Sequence, residues 1–475
     1  MNGIKLSLKE KASYAAGGVG KDLIAMFIGG YYMFYLTQVQ NLNSLFVGIA
    51  FFTAKAWDGI NDPLMGMIVD NTRTKWGKYR PWIFTGAILN TIVNIAMFAN
   101  INGIGAKYIY YTLIYILWGM TYTIMDIPYW SMIPSLSGTE KERNSISALA
   151  RVSTSIGGLV VVGLVPMFLD NYFGKYSVKG YLTLSVFINI AYLILMILCS
   201  IGTKEKVSVP PEKIKFKNIF TTLLGNDQLK VYVVFIALIY TAFTLTTGFS
   251  VYFFAYDIKN FGLTGIFSIV SFGGFGLGML LFPLVSGKFG AKKTFNASLV
   301  MVICGYILLF FSTMLFGKNL IRIEGGIGGL NIANSALVSF FIIAACGVLS
   351  FTGFGFVTVS ATVMLADVVE YGEWKLKKRT DSLIFSMQSF MYKFAGASSA
   401  LITGIGLFFT GLSGVDPETD TVKDINASGI VVMRIVMFLV PIVIAAVSMI
   451  LYNKKYKIHG AYKEEMLNDL RNVHV

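Results

Sequence analysis

Histidine and cysteine are nearly missing from this 475-residue chain, which has two of the first and three of the second. Both histidines, His459 and His474, lie in the C-terminal tail. No histidine is therefore placed to relay protons through an apolar interior, and any ion chemistry there falls to carboxylates. Cys199, Cys304 and Cys346 all sit inside apolar stretches. Their spacing fits no metal module, and no disulfide is expected. Charge is scarce too. Only 13% of the residues are Asp, Glu, Lys or Arg, and 55% are hydrophobic, whereas a soluble domain carries about 25% charged residues. This balance excludes a disordered chain, a nucleic-acid-binding domain and a small secreted scaffold.

What is present is a series of long apolar runs. A bilayer-spanning helix needs roughly 20 mostly apolar residues, and twelve such runs can be read. They cover about 14–37, 45–70, 82–101, 108–133, 149–170, 181–202, 231–256, 264–286, 295–316, 336–365, 383–411 and 430–452. The expected fold class is an all-α integral membrane protein. No removable signal peptide is expected, since MNGIKLSLKEKASY has no compact apolar core.

The charges orient these spans. Lys and Arg number 39 against 25 Asp and Glu, a net charge of +14. With both termini on one side, that side holds 27 of the basic residues and the other holds 7: Lys107, Lys175, Lys179, Lys259, Lys318, Arg322 and Lys423. Basic loops mark the cytoplasmic face. Both termini are therefore expected in the cytoplasm, in a cell inner (plasma) membrane.

The stretch 203–228 contains Pro210-Pro211 and five lysines, and it divides the chain into two six-helix halves. The expected organisation is a bundle over 1–202, a cytoplasmic loop over 203–228, a second bundle over 229–453 and a tail over 454–475. The halves echo each other. DNTRTKWGKYRPW follows the second span and SGKFGAKKTF the eighth. Two parallel repeats joined by a cytoplasmic loop are the architecture of the major facilitator superfamily.

Ionisable groups inside spans are costly and mark function by default. The clear cases are Asp22, Lys55, Asp58, Asp62, Asp126, Arg151 and Lys393. These are four acids and three bases, a formal charge of −1 that one monovalent cation would balance. The second span reads AKAWDGINDPLMG. Asp58 and Asp62 share a helix face at i, i+4, with Asn61 beside them. Pro63 weakens the helix there. Either the two carboxylates hold a proton or a small cation, or Asp58 pairs with Lys55 and Asp62 caps a helix break. The fourth span reads WGMTYTIMDIPYWSMIP, which puts Thr123, Asp126 and Trp130 on one face. A carboxylate beside an indole suits a sugar. In the competing reading Trp130 is an interfacial anchor and Asp126 pairs with Arg151.

At these residues the chain resembles the melibiose permease type of the glycoside–pentoside–hexuronide:cation symporter family. The likeness runs nearly end to end and is strongest at GKD (20–22), WDGINDP (57–63), WGKYRPW (76–82), WGMTYTIMDIPYW (118–130) and ADVVEYGEWKL (366–376). The resemblance implies a symporter that moves a glycoside with Na⁺, H⁺ or Li⁺ by alternating access, and that acts as a monomer. It implies a coupling-cation site at Asp58, Asp62, Asn61 and Thr123, with Na⁺ on the two acids. It implies sugar contacts at Lys21, Asp22, Asp126, Trp130 and Arg151, joined by Gln388, Ser389 and Lys393 from the second half. It further implies a cytoplasmic gate of Arg143, Asp367, Glu370 and Arg379. One departure stands out: Thr358 occupies the place of a tenth-span tryptophan in the family. The chain runs about two dozen residues beyond its last span, so the regulatory phosphocarrier-type domain fused to some relatives is not expected. A second reading is a cation-coupled transporter of a lysolipid-like amphiphile, against which the polar Asp22/Asp126/Trp130/Arg151 set argues. No cofactor and no nucleic-acid partner are expected.

Overall fold

The computed structural model describes residues 6–206, 225–320, 334–377, 381–412 and 425–474, apart from Asn102 and Gly138. Twelve long helices run through the described residues. They are α1 (Leu8–Phe27), α2 (Ser44–Asn71), α3 (Arg80–Met97), α4 (Ile104–Ser131), α5 (Glu140–Phe168) and α6 (Val178–Gly202), then α7 (Asp227–Tyr252), α8 (Leu263–Phe289), α9 (Ala291–Leu320), α10 (Asn334–Leu376), α11 (Asp381–Thr410) and α12 (Ala427–Arg434, resuming at Val440–Lys455). A last helix, α13 (Gly460–His474), follows. Eight segments among the described residues, corresponding to α5 through α12, are long and apolar enough to cross a membrane. The first four helices are more polar: α1, α2 and α4 carry most of the charges inside the spans, and α3 carries the buried Asn90 and Asn94.

Two compact units divide the chain. One holds Met1–Glu212 with Phe261–Ile266 and Leu407–Ile425, and the other holds Lys213–Asn260, Phe267–Gly406 and Asn426–Val475. In the first unit, α1 packs against α5 and α6, and α4 against α2 and α3. The contact of α1 with α5 is set by Gly157, where a Cβ would lie 2.3 Å from the Val19 carbonyl oxygen. In the second unit, α7 packs against α12, and α9 against α10. Helix α10 has 43 residues, about 64 Å at 1.5 Å per residue, roughly twice the thickness of a hydrocarbon core. Its C-terminal end packs against α13. There Asp367 pairs with Lys463 of α13 at 2.6 Å, and the Trp374 indole N–H donates to Asp469 at 3.0 Å.

The repeat is written in the way the helices end. Helix α1 runs into π-helical turns at Ile28–Tyr32 and Tyr35–Val39, and α7 into one at Phe253–Asp257. Asn41 (φ 58°) and Lys259 (φ 56°) then adopt the left-handed conformation. The next amide bonds back in each case, Leu42 N–H to the Leu36 carbonyl at 3.0 Å and Asn260 N–H to the Phe254 carbonyl at 2.9 Å. This closure satisfies otherwise orphaned helix carbonyls. The first helix of each six-helix set thus stops in the same manner.

Glu205 organises the loop after α2. Its carboxylate accepts the backbone N–H groups of Lys78 and Tyr79 at 2.8 Å and of Arg80 at 3.3 Å. These amides open α3, where nothing within the helix satisfies them. Glu205→Ala is expected to cost about 1–2 kcal/mol, by analogy with a lost helix cap. The measurement is the melting temperature in detergent, which should fall by about 1–2 °C, since the entropy of unfolding is roughly 2 cal/mol/K per residue. An unchanged melting temperature rules the cap out.

The N-terminus is tied down by charge. Ser7 and Glu10 form a reciprocal capping box on α1, and Lys206 reaches Glu10 at 2.8 Å. Burial alone would raise the Glu10 carboxyl, but Lys206 and the Ser7 donors outweigh it and hold the group below its ordinary value. Because the folded value is depressed, the stabilisation is present at neutral pH and is lost as the pH falls through the carboxylate range.

Candidate functional site

Two polar clusters lie inside the first unit, and α4 contributes to both. The first is centred on Lys21, which is only 5% exposed. Its ammonium lies 3.0 Å from Asp22 and 2.9 Å from Asp126, and it donates to the Tyr122 hydroxyl at 3.3 Å. It also sits 5.2 Å from the centroid of the Trp130 ring, and the Arg151 guanidinium lies 5.8 Å from the same ring. Tyr122, Asp126 and Trp130 fall at successive helical turns of α4, so one stripe supplies a hydroxyl, a carboxylate and an indole.

Asp126 takes Lys21, not Arg151, as its ion-pair partner. The sequence pattern also placed Lys21 outside the charged set of the spans, and the structure corrects that. Lys21 is drawn inward because two carboxylates compensate its ammonium, which an isolated lysine in a span would lack. Counted with Asp22, Asp58, Asp62, Asp126, Lys55, Arg151 and Lys393, it makes four acids and four bases. The formal charge is zero instead of −1.

The second cluster joins α2 to α4. Lys55 approaches Asp58 at 3.0 Å, and its ammonium is 4.9 Å from the Trp118 ring centroid. Asp58 is 5% exposed. It lies so close to Gly119 that a Cβ there would be 2.7 Å from its Oδ1. One turn on, the Thr123 hydroxyl lies 3.0 Å from Asp62 Oδ1 and 2.9 Å from the Gly119 carbonyl oxygen. That hydroxyl has one proton, so it satisfies one of these two acceptors at a time. Oxygens of Thr123, Asp62 and Gly119, on two helices, therefore converge. The amide nitrogen of Asn61 is buried nearby on α2 with no acceptor.

The remaining expected positions are dispersed. Gln388 is buried and Lys393 half-buried in α11 of the second unit, and the side chain of Ser389 is outside the described residues. Thr358 donates to the Phe354 carbonyl of its own helix at 2.9 Å. Of the gate residues, Arg143 donates to the Ser137 carbonyl at 2.9 Å, Asp367 holds Lys463, and Glu370 lies on α10. Arg379 falls outside the described residues. Sequence reasoning passed over Gly119, Tyr122 and Trp118. Their helical spacing from Thr123 and Asp126 was the available signal.

Residues 13–460 match the family described as MFS/sugar transport protein. The chain is similar to the uncharacterised symporter YnaJ of Bacillus subtilis (strain 168), at 27% identity over 95% of this chain and 94% of that one. It is similar to the lactose permease of Leuconostoc lactis, at 26% identity over 98% and 72%, and to the isoprimeverose transporter of Lactiplantibacillus pentosus, at 27% over 83% and 79%. Among solved structures, the nucleoside transporter NupG superposes with a TM-score of 0.64 at 13% identity, covering 94% of this chain and all of that one. A bacterial homologue of the lysosomal transporter Spinster gives 0.62 at 12% identity, over 94% and 95%. The two structures share the fold alone. With the family match spanning nearly the whole chain, this protein is a membrane transporter of the major facilitator superfamily and belongs to its MFS/sugar transport family.

Proposed function

We propose that the chain is a symporter that couples inward movement of a monovalent cation to uptake of a glycoside by alternating access. The observation that carries this reading is the interleaving of the two clusters on α4. Gly119 and Thr123 meet the α2 carboxylates, while Tyr122 and Asp126 meet Lys21. In this reading the cation takes Asp62, Thr123 and the Gly119 carbonyl, with Asp58 and Asn61 alongside. Hard monovalent cations favour such oxygen sets, by analogy with divalent ones. Asp126 and Asp22 accept sugar hydroxyls, Trp130 covers the apolar face of the ring, and Arg151 donates. A cation that fixes Thr123 also fixes the turn of α4 bearing Tyr122 and Asp126. Cation and sugar then raise each other's affinity, as linkage requires.

The named relatives support a sugar as substrate, since lactose and isoprimeverose appear in the names of two of them. The 27-to-7 division of basic residues supports cytoplasmic termini in the plasma membrane. The protein acts as a monomer in this reading. The test is uptake of labelled galactosides, xylosides and glucuronides into proteoliposomes, with and without an inward Na⁺ gradient. Accumulation of one of them, stimulated by a Na⁺, Li⁺ or H⁺ gradient, is expected. Equal uptake with and without all three gradients rules the coupling out.

A further inference from the structure

Helices α9 and α12, both in the second unit, are clasped at the end from which the C-terminal tail leaves. The Phe295 and Tyr452 rings pack with centroids 4.4 Å apart. The side-chain amides of Asn296 and Asn453 bond each other in both directions at 2.9 Å. Lys292 and Lys293 precede this clasp on α9, and Lys454, Lys455 and Lys457 follow it after α12. Neither 286–300 nor 440–463 contains an Asp or Glu. Other basic groups at helix ends have acids: Lys78 holds Asp70, Lys375 holds Asp227 and Lys463 holds Asp367. Among the described residues, no carboxylate pairs with the five lysines of the clasp.

A histidine in this cluster points to an anion. The Lys292 ammonium lies 2.8 Å from Nε2 of His459. An ammonium only donates, so Nε2 accepts and the imidazole proton sits on Nδ1. Nδ1 is buried and has no partner among the described residues. Burial and the Lys292 ammonium hold His459 below its ordinary pKa, which keeps the ring neutral at neutral pH. A buried N–H donor thus stands beside a cation with no oxygen to receive it.

The same two helices carry an apolar part. Val300, Ile307 and Phe311 of α9 lie within about 40° of one another, at 100° per residue, and Lys293 falls in their stripe. Val443, Val447 and Ile450 of α12 lie within about 60°, and Lys454 extends that stripe. These six apolar residues are 39–55% exposed, and both lysines are exposed. Each stripe is apolar along the span and cationic at its end, which matches a phospholipid from tail to head.

We propose that the α9–α12 seam binds an anionic glycerophospholipid, in the leaflet on the side of the C-terminal tail. Its phosphate takes the ammonium groups of Lys292, Lys293 and Lys454 and the Nδ1–H of His459, and its acyl chains lie on the two stripes. A basic helix end by itself marks only sidedness. The unused imidazole donor and the paired apolar stripes are what make this end a site. A zwitterionic lipid fits it less well, because the lipid's own cation meets the lysines.

The test is native mass spectrometry of the full chain in neutral detergent, titrated with dioleoylphosphatidylglycerol or dioleoylphosphatidylcholine. The first is expected to bind about tenfold more tightly or better. Lys293→Gln combined with Lys454→Gln is expected to weaken it about 30-fold, from roughly fivefold for each lysine. His459→Ala leaves the charge as it is and is expected to weaken it about tenfold, as for a lost hydrogen bond to a charged group. Lys9→Gln combined with Lys75→Gln removes the same charge elsewhere and should leave the affinity unchanged. Should the first pair of substitutions prevent folding, acetylation of the native protein answers the same question. Phosphatidylglycerol is then expected to slow acetylation of Lys293 and Lys454 but not of Lys75. Equal affinity for the two lipids, native affinity in Lys293→Gln/Lys454→Gln, equal loss in both double variants, or acetylation indifferent to lipid overturns the proposal. So does full displacement of the lipid by an equal concentration of glycerol phosphate, which would assign the lysines to a soluble anion.

Discussion

Asp126→Asn is expected to weaken sugar binding by about 100-fold or more while the protein stays folded. Hydrogen bonds to a charged acceptor contribute about 1.5–3 kcal/mol each, and a carboxylate facing a sugar accepts two. The amide that replaces it accepts through one oxygen, with no charge. Folding survives because Lys21 keeps its second partner, Asp22 at 3.0 Å. The buried ammonium is therefore not left uncompensated, which would otherwise be strongly destabilising. Calorimetry against the best-bound glycoside measures the loss, and the melting temperature controls for folding. A native Kd in this variant removes Asp126 from the sugar site.

Asp62→Asn is expected to separate binding from coupling. The Thr123 hydroxyl then faces an amide and a carbonyl, and the charge that a monovalent cation needs is gone. Allosteric coupling of this type usually amounts to 5–150-fold in affinity, about 1–3 kcal/mol. The native protein should show a cation effect on sugar affinity within that range. In the variant the ratio of affinities with and without the cation should fall to about one, with cation-free affinity near native. Gradient-driven accumulation should disappear while downhill flux persists. Full Na⁺-stimulated accumulation by Asp62→Asn would mean that the cation binds elsewhere.

Much of this arrangement is legible in the amino-acid sequence. Apolar runs of the right length mark the helices, because lipid demands them. Asp58, Asp62 and Asp126 stand out because a carboxylate in such a run is expensive and needs a reason. Lys21 beside Asp22 reads as a simple local pair, and only the fold shows that Asp126, more than 100 residues later, joins them. Gly119 is silent in sequence because its role is the absence of a side chain against Asp58. Glu205 is equally silent, since its three partners are backbone amides and leave no trace in residue type. The matched endings of α1 and α7 escape notice for a related reason: Asn41 and Lys259 share a backbone conformation but no chemistry.

The burial of Lys21 has an electrical consequence. The eight groups counted above balance to zero formal charge, so on the proposed mechanism they give the membrane potential no net charge to pull on in the unloaded carrier. One elementary charge moved through 100 mV gains about 2.3 kcal/mol. On the proposed coupling only the loaded carrier bears that extra charge. Voltage then drives the inward stroke with sugar aboard and leaves the return stroke indifferent to it, so current should flow only when cation and sugar travel together.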